Sequence, residues 1–195
     1  MSFFWTPEIT TRTMWLVWWL SWLAAAGWSD RAVKRPPNRY QITYRLLVAT
    51  GAVLLFGMYR HDIQSEMILW RTTAAFAWVL VAVVAAGLLF TWWARIHLGR
   101  LWSSNVTRKA DHRVIDTGPY GIVRHPIYTG IILASIATAA MRGTAFAWAG
   151  FGVMTIGWVI KARLEETFLR EQLGAETYDE YARRVPMLVP RPGRR

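Results

Sequence analysis

Arg124-His125-Pro126 with Tyr128, and Lys161, Arg163, Glu165 and Glu166 further on, are the residues whose types and spacing could do chemistry. Two apolar runs lie between the groups, residues 126–141 and 143–160, separated by the single charge of Arg142. Two such runs joined at Arg142-Gly143 predict an antiparallel helical hairpin. His125 then opens one helix and Glu165 follows the other, at the same end. Pro126 suits the first turn of its helix, where a missing N–H costs nothing. Lys161 and Glu165 are four apart and share a helix face. Tyr120, Tyr178 and Tyr181 fall in the polar segments flanking this hairpin. His, Tyr, Arg and Glu gathered at the mouth of a helical bundle suit a pocket for a charged small molecule.

Each residue also has a plainer reading. His125 could sit at a membrane interface, Glu165 could be an ordinary surface ion-pair partner, Arg124 could bind lipid headgroups, and the tyrosines could be interfacial anchors. His97, His112 and His125 fit no standard ligand spacing, so neither a metal nor a haem is expected. The chain has no cysteine, which excludes a disulfide framework, thiolate metal sites and a cysteine nucleophile.

The elements that must position these residues are apolar. The 195 residues are 54% hydrophobic and only 18% charged, against roughly 25% charged in an ordinary soluble domain, with 13 tryptophans. Five stretches stand out: residues 13–29, 46–59, 72–94, 126–141 and 143–160. The first, third and fifth reach the roughly 17–20 residues that a membrane crossing needs, and flanking residues extend the other two. The expected fold is all-α: a polytopic integral membrane protein of about five transmembrane helices in a single membrane domain. Residues 1–60 form an N-terminal hairpin of unassigned role and residues 70–195 the core. A soluble five-helix bundle is disfavoured, because so short a chain has too little polar surface to cover it. Gly130, Gly150, Gly152 and Gly157 are expected to allow close helix packing.

The net charge is +11. Arg31, Lys34, Arg35 and Arg39 follow the first stretch; Arg95, Arg100, Arg108, Lys109, Arg113 and Arg124 follow the third; most of the remaining cations follow the fifth. By the positive-inside rule the N-terminus lies outside and the C-terminus in the cytoplasm. Anionic lipid is the expected partner of this charge and nucleic acid is not, since the cations follow topology. Ala24-Ala25-Ala26 resembles a signal cleavage site, but Glu8 and Arg12 leave the preceding segment without a basic character, so the first helix is expected to be retained.

Two polar segments, residues 95–124 and 161–190, complete the picture. In order they carry His112-Arg113-Val114-Ile115, Gly118-Pro119-Tyr120, Val123-Arg124-His125-Pro126-Ile127-Tyr128-Thr129-Gly130, Glu165-Glu166, Leu173-Gly174, Tyr178, Tyr181 and Val185-Pro186. This ordered set resembles the isoprenylcysteine carboxyl methyltransferase family, with much shared by phospholipid N-methyltransferases. The resemblance covers roughly residues 95–190, and the short chain suggests a prokaryotic member.

The resemblance implies an integral membrane enzyme that uses S-adenosylmethionine. It implies that His112, Arg113, Val114 and Ile115 line the cofactor with backbone. It implies that Tyr120, His125, Pro126, Ile127 and Tyr128 contact its adenosine and methionine parts, that Glu165 holds its ammonium group, and that Asn105 supplies a polar contact. The family usually has Arg four residues before that Glu, to hold the substrate carboxylate; here Lys161 stands there. Lys is a point charge that cannot form the planar bidentate pair, so Arg163 or Arg124 could share the role of orienting the acceptor. The expected reaction is methyl transfer to a lipophilic small molecule or lipid at the membrane interface, most simply carboxyl O-methylation of an isoprenylcysteine-like or related acid. A carboxylate is already ionised near pH 7 and needs no general base. Two rival readings are a membrane reductase using NADPH and a non-enzymatic membrane scaffold. The acceptor and the oligomeric state are open.

Overall fold

The structure is a computed structural model that describes residues 5–25, 38–57, 67–99 and 115–191. Its described residues form seven helices: α1 (Pro7–Ala24), α2 (Asn38–Phe56), α3 (Ala74–Leu98), α4 (Pro119–Ile122), α5 (Pro126–Arg142), α6 (Ala145–Leu173) and α7 (Ala175–Arg184). The all-α expectation holds, and only an isolated bridge between Ile68 and Thr144 adds β pairing among the described residues.

Threonines start three of the long helices. The side chains of Thr6, Thr73 and Thr144 accept from Ile9, Phe76 and Ala147 N–H groups, satisfying donors that a helix start leaves without partners. Thr6 with Pro7 moves the start of α1 well ahead of the uncharged run at residue 13, so Glu8 and Arg12 lie inside the helix. Arg142-Gly143 does form the tight turn between α5 and α6: Gly143 has φ of 61°, and its N–H bonds the Ala139 carbonyl. Helix α6 runs on without a break through Lys161, Glu165 and Glu166 until Gly174, at φ 91°, stops it.

The long helices alternate in direction. At one end the Thr72 hydroxyl donates to the Ala140 and Met141 carbonyls, and Arg142 donates to the Gly57 carbonyl. At the other end Arg95 donates to the Ala25 carbonyl at the end of α1. The charge pattern places Arg95 in the loop after the third apolar stretch; the structure has it in the last turn of α3, fully buried, where its charge also meets the negative pole of α1.

Helix packing departs from sequence adjacency. The hairpin partners α5 and α6 touch, but α5 packs mainly on α3 and α6 mainly on α2. Glycines explain both pairs. A Cβ on Gly130 would lie 2.5 Å from the Gly87 carbonyl oxygen, and one on Gly150 would lie 2.7 Å from that of Gly51. Gly157 similarly meets Tyr44, Leu47 and Val48 of α2, whereas Gly152 faces open space. These glycines therefore serve crossings with α2 and α3 rather than the hairpin itself. Helix α1 lies against α3 and α5, tied by the Trp18 indole to Thr91 at 2.6 Å and the Trp15 indole to Thr138 at 3.0 Å.

The outward faces are apolar. Leu16 and Val17 on α1, Val53 on α2, Leu89 on α3 and Ile156 on α6 are all more than half exposed. Such a surface suits lipid and would be a liability in water. Helices α3 and α6 are each long and apolar enough to cross a membrane, while residues 41–56 and 126–142 form shorter apolar helices.

Candidate active site

Helix α6 places the site. At about 1.5 Å per residue, Glu165 lies about 30 Å along the helix from Ala145, the thickness of a hydrocarbon layer. The carboxylates thus emerge where an apolar layer would end, beside the start of α5.

His125, the residue capping α5, does not cap the helix with its side chain. Its ring instead bridges the two carboxylates of α6: Nε2 lies 3.1 Å from Glu166 Oε1 and Nδ1 lies 3.6 Å from Glu165 Oε2. Burial alone would lower the His125 pKa, but hydrogen bonds and charge from Glu165 and Glu166 outweigh it and hold the pKa above its ordinary value. Glu165 Oε1 accepts the Tyr128 hydroxyl at 2.6 Å and pairs with the Lys161 ammonium at 3.8 Å.

Arg124 closes the other flank. Its Nε donates to Glu166 Oε1 at 2.7 Å, and its Nη1 donates to the carbonyls of Ala182 at 2.9 Å and Val185 at 2.6 Å, at the end of α7. The chain after α7 then runs along the start of α5. The Arg124 N–H donates to the Pro186 carbonyl, the His125 N–H to that of Met187, and the Thr129 hydroxyl to that of Leu188. Arg124 is therefore a clamp holding α7 and the following segment to the two carboxylates. Tyr178 and Tyr181 pack with Val185 and Leu169, and the Tyr181 hydroxyl donates to the Tyr120 carbonyl at 2.8 Å. Burial pushes the phenols of Tyr120, Tyr178 and Tyr181 well above their usual range, so these groups stay protonated.

Aromatic faces line the Lys161 side. The rings of His125 and Tyr128 stack with centroids 5.5 Å apart, and those of Tyr128 and Trp158 at 5.0 Å. Lys161 is buried, with its ammonium 5.1 Å from the Tyr128 ring, 5.5 Å from that of Tyr44 and 5.6 Å from that of Trp158. The site offers a carboxylate, protonated donors and aromatic faces, a set that suits a ligand with ammonium, carboxylate and sulfonium groups.

The structure thus brings together His125, Tyr128, Lys161 and Glu165, with Arg124 and Tyr120 beside them. Pro126 is buried in the first turn of α5 and Ile127 is half-buried next to it. Arg163 is exposed and stands away from the cluster. Ile115 is described, just before Asp116, whose carboxylate pairs with Arg184. Asn105, His112, Arg113 and Val114 lie outside the described residues. His97 donates to or accepts from Thr117 at 2.9 Å and stacks on Tyr120. Two site residues escaped the sequence reading. Trp158 could have been found, since it precedes Lys161 by three on one helix face. Tyr44 could not, because nothing local in the sequence ties α2 to Lys161.

The isoprenylcysteine carboxyl methyltransferase family model matches residues 78–171, which contain most of α3, all of α4 and α5 and nearly all of α6. Over this segment, just under half of the chain, it is similar to that family. Methanethiol S-methyltransferase 2 of Bradyrhizobium diazoefficiens is 34% identical over 160 residues, covering 76% of this chain and 59% of the relative. Protein-S-isoprenylcysteine O-methyltransferase B of Arabidopsis thaliana is 33% identical over 112 residues, covering 56% of this chain and 50% of the relative. Cobalt-zinc-cadmium resistance protein CzcN of Cupriavidus metallidurans is 29% identical over 169 residues, covering 83% of this chain and 69% of the relative. The chain thus spans 59% and 50% of the length of the two methyltransferases named. Tyr44 and the whole of α1 and α2 lie outside the segment that the isoprenylcysteine carboxyl methyltransferase model covers.

Proposed function

We propose that the protein is an integral membrane methyltransferase that uses S-adenosylmethionine to methylate a lipophilic carboxylate at the membrane interface. The observation that carries this reading is Glu165: a carboxylate where the apolar part of α6 ends, oriented by Tyr128 and His125 and flanked by stacked rings. The match to the family model supports methyl transfer. Five alternating helices crossing the bilayer, with the site end in the cytoplasm, is the arrangement that the cation distribution supports.

Glu165 would hold the cofactor's ammonium group. His125 and the faces of Tyr128 and Trp158 would meet its carboxylate and sulfonium. Tyr120, Pro126 and Ile127, together with Asn105 and residues 112–115, would contact the remainder, as in the family that the sequence resembles. Bound S-adenosylmethionine supplies an electrophilic methyl group. The chain's task is alignment and exclusion of water. Lys161, with Tyr44 behind it, would orient an acceptor anion that enters from lipid. Arg124 is committed to Glu166 and to carbonyls, so it would act by holding the site rather than by touching the acceptor. Arg163, on the exposed face, is not part of this reading of acceptor binding.

A thiol acceptor is a second reading. Lys161 in place of Arg favours it, because a single ammonium matches a one-atom anion better than a planar carboxylate. The relative named methanethiol S-methyltransferase 2 points the same way. Membranes from cells producing the protein, supplied with methyl-labelled S-adenosylmethionine, separate these readings. Label released by alkali as methanol marks an ester, and alkali-stable label marks a thioether. Glu165→Gln should abolish either. No transfer by wild type, together with oxidation of added NADPH, would replace the methyltransferase reading with the reductase.

A further inference from the structure

We infer that Lys161 is a charge switch: it neutralises Glu165 while the cofactor is absent and is released to hold the acceptor anion when the cofactor's ammonium takes its place. The inference rests on the cofactor reading given above and concerns how the same site couples its two ligands.

Glu165 Oε1 is the atom to which the Lys161 ammonium is paired, at 3.8 Å, and the same oxygen accepts the Tyr128 hydroxyl. Glu165 is partly buried and also faces His125 at 3.6 Å, a partner it shares with Glu166, so Lys161 supplies part of its compensation; the buried Lys161 ammonium in turn depends on a nearby counter-charge. One carboxylate therefore serves whichever cation is nearest. A second ammonium arriving at Glu165 competes with the first for that carboxylate and weakens the Lys161 pair, which an acceptor anion can then make good. The surroundings of Lys161 are built to keep it in place when that happens. The rings of Tyr44, Tyr128 and Trp158 surround its ammonium at 5.1 to 5.6 Å, so their faces continue to stabilise the cation after the carboxylate is taken. Two of these rings also extend the His125 stack, so the cage and the cofactor side share a wall. Tyr44 comes from α2, outside the family segment, which gives the N-terminal helices a part in the acceptor side of the site.

Two consequences follow from linkage. Lys161 competes with the cofactor, so removing its charge tightens cofactor binding. The cofactor frees Lys161, so an anion binds more tightly when the cofactor is present, and the coupling must be reciprocal. Both are read by calorimetry on the detergent-solubilised full chain, with S-adenosylhomocysteine as an unreactive cofactor probe and decanoate as a carboxylate probe. Lys161→Met, which keeps an apolar stem among the rings, should bind S-adenosylhomocysteine at least threefold more tightly than wild type. Lys161→Arg keeps the charge and should stay within about twofold. Wild type should bind decanoate at least threefold more tightly with saturating S-adenosylhomocysteine, and Lys161→Met should lose that gain. Equal or weaker cofactor-probe binding by folded Lys161→Met, beside normal binding by wild type, overturns the switch and leaves the cofactor reading intact. No binding of the probe by wild type overturns the cofactor reading and the switch with it.

Discussion

Replacing Arg124 with Ala tests whether this residue is the clamp that the geometry describes or a lipid-facing cation, the plainer reading that its sequence context allows. The guanidinium makes three hydrogen bonds, to Glu166 at 2.7 Å and to the Ala182 and Val185 carbonyls at 2.9 and 2.6 Å. Its side chain is only 12% exposed and that of Glu166 20%. Hydrogen bonds involving a charged group contribute about 1.5–3 kcal/mol each, and breaking a buried pair costs about 3–5 kcal/mol. The pair here is partly hydrated and Glu166 keeps His125 as a partner, so the lower end applies: about 3 kcal/mol. For a chain of this size about 1 kcal/mol moves the melting point by about 2–4 °C, which gives a fall of about 6–12 °C. Tryptophan fluorescence during heating in detergent reads it directly. Arg124→Lys keeps the charge but not the fork, and should lose about half as much. Pairing Arg124→Ala with Glu166→Gln should cost less than the sum of the two, because both remove the same contact. A melting point within about 2 °C of wild type for Arg124→Ala would refute the clamp and return Arg124 to the lipid surface.

Other expectations follow from the same contacts. Gly130→Ala forces a methyl group to within 2.5 Å of the Gly87 carbonyl and should destabilise the α3–α5 crossing by about 1–3 kcal/mol, whereas Gly152→Ala meets open space and should melt like wild type. The His125 pKa is raised in the folded protein, so its contribution to stability is complete below about pH 6.5 and is lost as the pH rises through the folded value. Melting curves from pH 6 to 9 should therefore converge for wild type and His125→Gln toward high pH; a constant gap across that range would show that His125 contributes through packing alone.

Most of the site could be seen in the sequence because its parts sit at helix boundaries. Pro126 marks the start of α5, Gly143 the turn and Gly174 the end of α6, and together they bring His125 and Glu165 to one end. The periodicity of α6 also put Lys161 and Glu165 on one face. What could not be read was tertiary. The uncharged run at residues 13–29 hid a helix start set by Thr6 and Pro7, since a cap and not an apolar residue decides where the first turn closes. The hairpin is legible in sequence but the main packing partners of its helices are not: small residues at Gly87 and Gly130, and at Gly51 and Gly150, let helices distant in sequence approach closely. Arg124 reads in sequence as an interfacial cation because two of its three partners, the Ala182 and Val185 carbonyls, are backbone atoms that leave no mark there, and the third, Glu166, is 42 residues away.

The central claim is that Glu165 anchors S-adenosylmethionine. Calorimetric titration of the detergent-solubilised protein with S-adenosylmethionine, beside Glu165→Gln and with NADPH as a control, tests it most directly. The account predicts saturable binding by wild type, a loss of at least tenfold in affinity for a Glu165→Gln variant that still melts cooperatively, and no binding of NADPH. Folded wild type that fails to bind S-adenosylmethionine, or a Glu165→Gln variant that binds it as tightly as wild type, would contradict it.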